Sequence, residues 1–275
     1  MKIKVLGTAA YERVPAMFCS CPICNYAREH GGKEVRTQAQ VLINDDLLVD
    51  FGQDSFYHSL RFGVDFQQIK NILITHSHSD HFIPEDFLMT KAPYGHNEIE
   101  LNVYGGQSSY EAFLPHSQKT KAEFTVVSAY QTFEVGKYTV TALPARHGTK
   151  TPFIYIINDG EKTILYGNDS GIEYDEVYEF IKNGKYSFDL VISDCTNGNL
   201  HFEKINSHKS FKDNIFHKQK LTENGNVTDK TIWVITHFSH NGLLDNNQPL
   251  SHENVSAIAE KMGMVAAYDG ITFEI

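Results

Sequence analysis

The sequence lacks an apolar run long enough to cross a bilayer, and the apolar part of its opening stretch MKIKVLGTAA is too short for a secretory signal. We therefore expect no membrane span, interpret the opening stretch as a first β-strand, and expect a cytoplasmic protein. Cysteine is scarce: there are four, and three of them stand together. In an intracellular chain this clustering favours bound metal over disulfides.

Positive charge is also in short supply. The 24 Lys and Arg residues face 34 Asp and Glu residues, so the formal net charge is −10. Nucleic-acid binding depends on Lys and Arg residues that neutralise phosphates, so the negative net charge disfavours a nucleic-acid partner. The net charge does not exclude small anionic substrates, because bound metals can reverse the local electrostatic field.

The chain has 275 residues, 41% of them hydrophobic, which is enough for a substantial core. Many short β-branched or aromatic runs are interrupted by a few helical stretches, a pattern that predicts sheets packed on one another with helices outside. We expect helices at 207–217, with Ser207 as N-cap, and at 251–261, with Ser251 as N-cap. The polar stretch 218–230 is predicted to be a surface loop or an insertion.

The richest motif is ILITHSHSDH at 72–81, where an apolar run precedes His76, His78, Asp80 and His81. Imidazole suits zinc, and carboxylate suits harder ions such as manganese. Two residues two apart in extended backbone point to the same side, so His76 and His78 can share one ion, while the two later residues can reach another position. Four such groups indicate two metals sharing one loop.

Further ligands must come from elsewhere in the chain, because one ion needs three or four of them. His147, Asp169 and His237 each follow an apolar, strand-like run. Loops at strand ends gather around sites on a rigid scaffold, so these three residues are candidate ligands.

HSHSDH, the isolated His147, Asp169 in GNDSG and His237 in THFSH resemble the ordered ligand motifs of the metallo-β-lactamase superfamily. The resemblance runs from residue 3 to the C-terminus and implies an α/β fold, a four-layer αββα sandwich, as one hydrolase domain over 1–275. It implies a metal held by His76, His78 and His147, a metal held by Asp80, His81 and His237, and Asp169 bridging the two. Asp50 resembles the family's aspartate that orients a ligand by hydrogen bonding without binding metal itself.

Cys19, Cys21 and Cys24 form a CxCxxC motif, which is one ligand short of a tetrahedral zinc site. His240 is the obvious fourth ligand, since the turn after His237 could direct it away from the catalytic ions. A closed zinc site of this kind contributes to folding rather than to chemistry. The alternative is three reduced cysteines packed in a loop.

The stretch LGTAAYERVPAMFCSCPIC, with THFSH, SDCTNG at 193–198 and NSHKSF at 206–211, narrows the resemblance. It is similar to the phosphoribosyl 1,2-cyclic phosphate phosphodiesterases of the carbon–phosphorus lyase pathway, which carry an additional Cys3His zinc. The resemblance implies a catalytic role for His208, protonating a leaving alkoxide or contacting a phosphate oxygen. The sequence departs from these relatives at Ala9-Ala10, at Arg13 and in the apparent insertion 218–230, and both regions could border the substrate.

The resemblance therefore implies a dinuclear phosphodiesterase that hydrolyses a small, cyclic phosphodiester through a metal-bridging hydroxide, with Asp80, Asp169 and His208 as catalytic groups. Its cofactors would be two catalytic divalent metals, zinc or manganese, and one structural zinc. A homodimer is compatible with this. A tRNA 3′-processing endonuclease and a non-hydrolytic protein of pyrroloquinoline quinone biosynthesis stay open as alternatives, whereas a β-lactamase fits Asp169 and the Cys3His cluster less well.

Overall fold

Two seven-stranded sheets form the centre of the molecule. The computed structural model describes residues 1–200, 207–244 and 248–275. The first sheet has the order β14-β1-β2-β3-β4-β5-β6 and the second has the order β13-β12-β11-β10-β9-β8-β7. The strands of the first sheet are β1 (Lys2–Gly7), β2 (Gln40–Ile43), β3 (Leu47–Val49), β4 (Asn71–Leu73), β5 (Leu101–Gly105), β6 (Ala122–Val126) and β14 (Thr272–Glu274). Those of the second are β7 (Thr132–Val135), β8 (Tyr138–Pro144), β9 (Phe153–Asn158), β10 (Thr163–Gly167), β11 (Leu190–Asp194), β12 (Ile232–Thr236) and β13 (Val265–Ala266).

The main core lies between the two sheets. Val41 and Val49 of the first sheet pack in one buried cluster with Val140, Ile157 and Ile192 of the second. Several central strands, β2, β3 and β11 among them, are buried along their whole length, so they are apolar at nearly every position instead of alternating.

Helices cover the outer face of each sheet. Phe113 packs with the outer side chains of the first sheet, and Val177, Leu221 and Val255 pack against the second. The predicted four-layer αββα sandwich is therefore confirmed. The helices are α1 (Pro22–His30), α2 (Ser55–Phe62), α3 (Gln107–Phe113), α4 (Asp175–Asn183), α5 (Phe211–Glu223) and α6 (His252–Lys261).

Two local predictions for the last third of the chain differ from the structure. Helix α5 begins after Ser210, whose hydroxyl accepts from the Asp213 N–H in a capping box, so the N-cap is Ser210 and not Ser207. The same helix continues to Glu223, so the prediction of a loop over 218–230 was wrong for its first half. Lys218 and Lys220 are good helix formers on an amphipathic surface, where polarity does not signal a loop. Ser251 caps α6 as predicted.

Parallel pairing brings several strand ends to one edge of the sandwich. Strand β3 pairs parallel with β4, and β10, β11 and β12 are parallel neighbours in the second sheet. The carboxyl ends of parallel neighbours lie side by side, so the loops that follow them meet at one edge. Across the described ranges, no helix has the length and apolar character needed to span a membrane.

Candidate metal centre

The HSHSDH segment is a loop and not an extension of a strand. Strand β4 ends at Leu73, and His76, His78, Asp80 and His81 lie in the irregular segment beyond it. The expected alternation of an extended strand therefore does not explain their directions. The loop nevertheless brings His76 Nε2 to 3.0 Å from His78 Nδ1, and His81 Nε2 to 3.2 Å from an oxygen of Asp80.

The distant candidates join this loop in two groups. In each group, one ligand atom from every residue lies within 4.8 Å of one atom from each of the others. The first group contains His76, His78, His147 and Asp169, and the second contains Asp80, His81, Asp169 and His237. These are the two ligand sets that the resemblance implied, with Asp169 in both. Whether each residue binds metal stays a prediction.

The Asp169 carboxylate lies at the centre of the cluster. It follows β10, is 3% exposed, and its oxygens lie 3.2 Å from His76 Nε2, 3.2 Å from His81 Nε2 and 3.2 Å from His147 Nδ1. His237 Nε2 lies 3.8 Å from Asp169 Oδ2. A carboxylate so placed can offer one oxygen to each of two ions.

Several buried atoms of the cluster have no hydrogen-bonding partner. His81 Nε2, His147 Nδ1, His237 Nε2 and Asp169 Oδ1 are all buried and make no hydrogen bond. Leaving a buried polar atom unpaired costs about 1–3 kcal/mol, so four in one place call for a partner of another kind. Imidazole nitrogens and a carboxylate oxygen form a donor set that divalent metals take, and the residues therefore fit the implied pair of ions.

Three residues around the cluster adopt a left-handed backbone conformation that non-glycine residues rarely have. The φ angles are 67° at Asp50, 50° at Asp169 and 63° at His237. Each residue follows a strand, and this conformation turns the chain sharply at the sheet edge. It costs about 1–3 kcal/mol per residue, and such costs tend to persist at functional sites.

Buried carboxylates orient two of the histidines. Asp50 Oδ2 lies 2.7 Å from His81 Nδ1, while its Oδ1 accepts hydrogen bonds from the Thr75 N–H and hydroxyl, both at 2.8 Å. Asp194 Oδ2 lies 3.2 Å from His237 Nδ1. A hydrogen bond to one ring nitrogen fixes the tautomer and leaves the other nitrogen free for a metal. Asp50 has the contact expected of it.

The role of Asp194 was missed from the sequence. It is the last residue of β11 and fully buried, and it lies beside both His237 and His208. Thr196 adds an oxygen 2.7 Å from His237 Nδ1. Both residues belong to SDCTNG, a segment that the sequence marked without assigning functions within it. Cys195 between them is buried in the core.

His208 faces the same cluster. Its Nδ1 lies 3.1 Å from Asp169 Oδ1 and 3.1 Å from Asp194 Oδ2. Burial disfavours the imidazolium, but the Asp194 carboxylate outweighs it and raises the pKa of His208 to about 9. Asn206, the first residue of the predicted NSHKSF motif, lies outside the described residues.

Burial and neighbouring charges shift the pKa values of the residues in the cluster. Burial works against the ionised form of Asp80, but the adjacent His81 outweighs it and lowers the pKa of that carboxyl. Burial lowers the pKa of His76, and it lowers that of His147 to about 4, whereas at His81 the Asp80 and Asp50 carboxylates outweigh burial and raise the pKa. Ionised carboxylates and neutral imidazoles are the forms in which these side chains bind metal.

A cavity of about 490 Å³ opens onto the cluster. His78, His147 and His208 line its floor, and Tyr11 and Glu12 line one side. Of the residues at which the sequence departs from its relatives, Ala10 lines the cavity, whereas Ala9 and Arg13 are not among the described lining residues. Residues 218–230 are absent from the described lining, and a role for that stretch beside the substrate stays a prediction.

The cysteine cluster lies beside this cavity. Cys21 Sγ lies 3.6 Å and Cys24 Sγ 3.2 Å from His240 Nδ1, and all four predicted residues have one ligand atom within 4.8 Å of the others. Cys21 is also the N-cap of α1, so the helix start fixes the spacing of Cys21 and Cys24. The donor set of three sulfurs and one imidazole fits a tetrahedral zinc.

Comparison with protein families decides the broad identity. The model of the beta-lactamase superfamily domain matches residues 46–212, which is more than half of the chain. The chain belongs to this superfamily. The matched range includes six of the seven candidate catalytic ligands and ends before His237.

Individual relatives of this superfamily protein are more distant. Ribonuclease Z of Bradyrhizobium diazoefficiens is 23% identical over 118 residues, which span 40% of this chain and only 39% of that protein. A diphosphatase of the PhnP family has a similar structure, with a TM-score of 0.75 and 20% identity over 100% of this chain and 98% of the other. Zinc-bound PqqB from Methylobacterium extorquens has a TM-score of 0.67 and 17% identity over 100% of both chains. At such identities the structures show the fold alone, and membership of the superfamily supports the expectation of a metal-dependent hydrolase.

Proposed function

We propose that this protein is a metal-dependent phosphodiesterase that hydrolyses a small, cyclic phosphodiester. The observation that carries the proposal is the position of His208. Its imidazole lines the same cavity as the candidate ligands and lies 3.1 Å from both Asp169 and Asp194. A proton donor beside a two-metal ligand set is the arrangement needed to break a P–O bond to a poor leaving group.

The ligand assignment follows the two groups of residues. His76, His78 and His147 would hold one ion, Asp80, His81 and His237 would hold the other, and Asp169 would contact both. Two divalent ions, zinc or manganese, would supply an activated water and neutralise the non-bridging oxygens of the phosphate. Asp50 and Asp194 hold the rings of His81 and His237 through their Nδ1 atoms, which directs Nε2 of each ring into the cluster.

His208 would protonate the leaving alkoxide. Asp194 accepts from His208 Nδ1, so the other ring nitrogen, Nε2, is the one available to a ligand in the cavity. Ring opening of a cyclic diester releases an alkoxide, which needs a proton as the bond to phosphorus breaks.

The cavity favours a small substrate. Its volume is about 490 Å³, and none of the described residues that line it is Lys or Arg. A polynucleotide would need several basic contacts along its backbone, and the net charge of −10 supplies no surplus of them. The two ions are then the main anion-binding groups.

A tRNA 3′-processing endonuclease is the second candidate. The partial similarity to a ribonuclease Z favours it. Its substrate would have to lie across the mouth of the cavity, so tRNA precursor cleavage belongs in the same set of assays. The likeness to PqqB keeps a non-hydrolytic function as the outcome of a wholly negative screen.

We also propose that Cys19, Cys21, Cys24 and His240 hold one structural zinc, and that residues 1–275 act as one hydrolase domain. The sulfur and imidazole distances of this cluster support the first point. The sheets support the second, because β1 pairs with both β2 and β14 and so joins the two ends of the chain.

The test is a substrate screen on protein loaded with zinc or manganese. Bis(p-nitrophenyl) phosphate and 2′,3′-cyclic AMP should be hydrolysed, and Asp169→Ala should abolish both activities. A folded, metal-replete protein that is inert towards diesters but cleaves thioesters or lactams would refute the substrate class. Cleavage of a tRNA precursor alone would favour the second candidate.

A further inference from the structure

A buried ion pair lies behind the candidate centre. Lys209 Nζ and Glu173 Oε1 are 3.0 Å apart, and both side chains are 0% exposed. Neither residue is among those that line the cavity. Burying two charges is expensive, and such a pair often adds little net stability. Its presence so close to the site therefore calls for a reason other than stability.

The pair joins two segments that carry site residues. Lys209 follows His208 directly, and its Nζ also donates to the Ser170 carbonyl at 2.9 Å. Ser170 follows Asp169, and Glu173 lies three residues further along the same loop. One ammonium group therefore ties the backbone beside His208 to the backbone beside Asp169.

The main chain of Lys209 makes a third connection. Its N–H donates to Asp194 Oδ1 at 2.8 Å, while Asp194 Oδ2 lies 3.1 Å from His208 Nδ1. Lys209 thus fixes the carboxylate that orients His208 as well as the loop that carries Asp169. A shift of Lys209 would move both partners of the His208 ring.

The Asp169 loop needs such support. Asp169 has a φ of 50°, a conformation that persists only where neighbouring contacts hold it. On one side the Arg146 N–H donates to Ser170 Oγ at 3.0 Å, and Arg146 Nε donates to the Ile172 carbonyl at 2.8 Å. Lys209 supplies the contact on the other side, so the loop is held between the His147 and His208 segments.

The surroundings of the pair show what removal of the lysine would do. Glu173 Oε2 makes no hydrogen bond, and His217 Nδ1 lies 3.6 Å from it while pairing with the Tyr178 hydroxyl. Burial raises the pKa of Glu173, and the Lys209 ammonium opposes that rise. Without the lysine, nothing would oppose the rise that burial causes in the pKa of Glu173, and the connection to the Asp169 loop would be lost.

We propose that Lys209 and Glu173 are positioning residues that hold His208 in register with Asp169, so that proton donation to the leaving group depends on a pair that never touches substrate. This inference rests on the proposed function of His208. If the pair is lost, kcat/KM should fall most for the substrates whose leaving group most needs a proton.

The test compares two diesters with different leaving groups. An alkoxide from 2′,3′-cyclic AMP needs protonation, whereas p-nitrophenolate from bis(p-nitrophenyl) phosphate leaves as a stable anion. Lys209→Met should lower kcat/KM about tenfold to a hundredfold on the cyclic substrate, and change it less than about threefold on the activated one. Equal losses on both, or no loss on either, would overturn the proposal.

Two further variants separate positioning from general damage. Lys218→Met is the matched control, because Lys218 Nζ also donates to backbone carbonyls, those of Met262 and Gly263, but away from the cavity. It should affect both substrates alike. Glu173→Gln removes the charge that balances the buried Lys209 ammonium, so the lysine is no longer held in place. This variant tests the same pair if Lys209→Met does not fold. It should lose kcat/KM on the cyclic substrate and keep it on the activated one.

A second readout does not need activity or metal. Hydrogen exchange of the metal-free protein should accelerate at residues 169–173 and 207–211 in Lys209→Met and Glu173→Gln, and not in Lys218→Met. Exchange that is unchanged there, or faster throughout, would overturn the inference. A wild-type protein inert towards both diesters would refute the proposed function instead, and the exchange measurement would then decide the positioning role alone.

Discussion

The two clusters of metal-ligating side chains are built in opposite ways. Three residues of the cysteine cluster come from six consecutive positions, and the start of α1 fixes two of them. The histidine and aspartate cluster draws its ligands from loops after β4, β8, β10 and β12. It opens onto a cavity of about 490 Å³, whereas Cys19, Cys21, Cys24 and His240 are not part of that cavity's lining.

Under the proposed function, this difference separates a structural zinc site from a catalytic one. A site with four protein ligands leaves no open position, while catalytic metals keep one for water or substrate. The two clusters also differ in backbone strain. Asp169 and His237 have positive φ angles, and none of the four residues of the cysteine cluster does. His237 and His240 share one loop, so damage to one cluster can reach the other. The following predictions test how far the two are independent.

The largest effect should come from Asp169→Ala. This change removes the carboxylate that both ligand groups share, so kcat on bis(p-nitrophenyl) phosphate should fall about a thousandfold or more, with the cysteine-bound zinc retained. Metal analysis and steady-state kinetics check it. Asp45→Ala, at an exposed surface ion pair with Lys2, is the control and should leave both unchanged. Retained activity in Asp169→Ala would contradict the two-metal assignment.

Cys21→Ser should act mainly on stability. It removes one sulfur and should cost one zinc per chain and several kcal/mol of folding free energy, while the activity of the folded fraction changes little. Zinc content and urea unfolding measure this. Cys195→Ala, at the buried cysteine outside the cluster, should keep its zinc. Complete loss of activity in folded Cys21→Ser protein would show that the cluster is not merely a brace.

His58 is a buried histidine that belongs to neither cluster. It pairs with Thr37 and Gln40, and burial lowers its pKa from the ordinary 6.5 to about 4. Between those two pH values the unfolded chain binds a proton and the folded chain does not. Stability should therefore fall by about 3 kcal/mol as pH drops from 6.5 to 4, and show no contribution from His58 above 6.5.

Urea unfolding of metal-free protein across this range measures the effect, with His58→Gln as the comparison. The variant should lack that part of the pH dependence. Identical slopes for the two proteins would mean that His58 carries a proton in the folded state, and would weaken the distinction between core and ligand histidines.

The smallest of these effects should come from Asp50→Asn. The amide cannot hold the His81 ring as the carboxylate does, so affinity for one catalytic ion should fall about tenfold to a hundredfold. Metal titration of chelator-treated protein checks it. Asp269→Asn is the matched buried control, because Asp269 accepts from Thr8 and Thr37 away from the cluster. It should lower stability and leave metal affinity unchanged.

Much of the site could be predicted because its ligands are short-range motifs or follow apolar strands. The His76 to His81 run and the three cysteines are recognisable by spacing alone. His147, Asp169 and His237 became recognisable only in their order along the chain, because a single histidine after a strand has no distinctive pattern. Packed sheets with helices outside followed from the strands, whose apolar character is strong where both faces are buried, whereas the four-layer αββα sandwich was implied by the family resemblance.

What sequence reasoning missed are residues whose roles depend on tertiary contacts. Asp194 and Thr196 meet His237 only when β11 and β12 pair, and the Lys209–Glu173 pair forms only when two distant loops pack. Helix α1 begins at a proline directly after Cys21 and was hidden by the metal motif. The first half of 218–230 has good helix formers, but their polarity suggested a loop.

We propose that one chain holds a two-metal hydrolytic centre and a separate structural zinc. Anomalous X-ray diffraction at the metal absorption edges tests it most directly on crystals of the zinc- or manganese-loaded protein. Three peaks are expected: two about 3.5–4 Å apart on either side of Asp169, and one among Cys19, Cys21, Cys24 and His240. A single peak at the histidine cluster, or none among the cysteines, would contradict it.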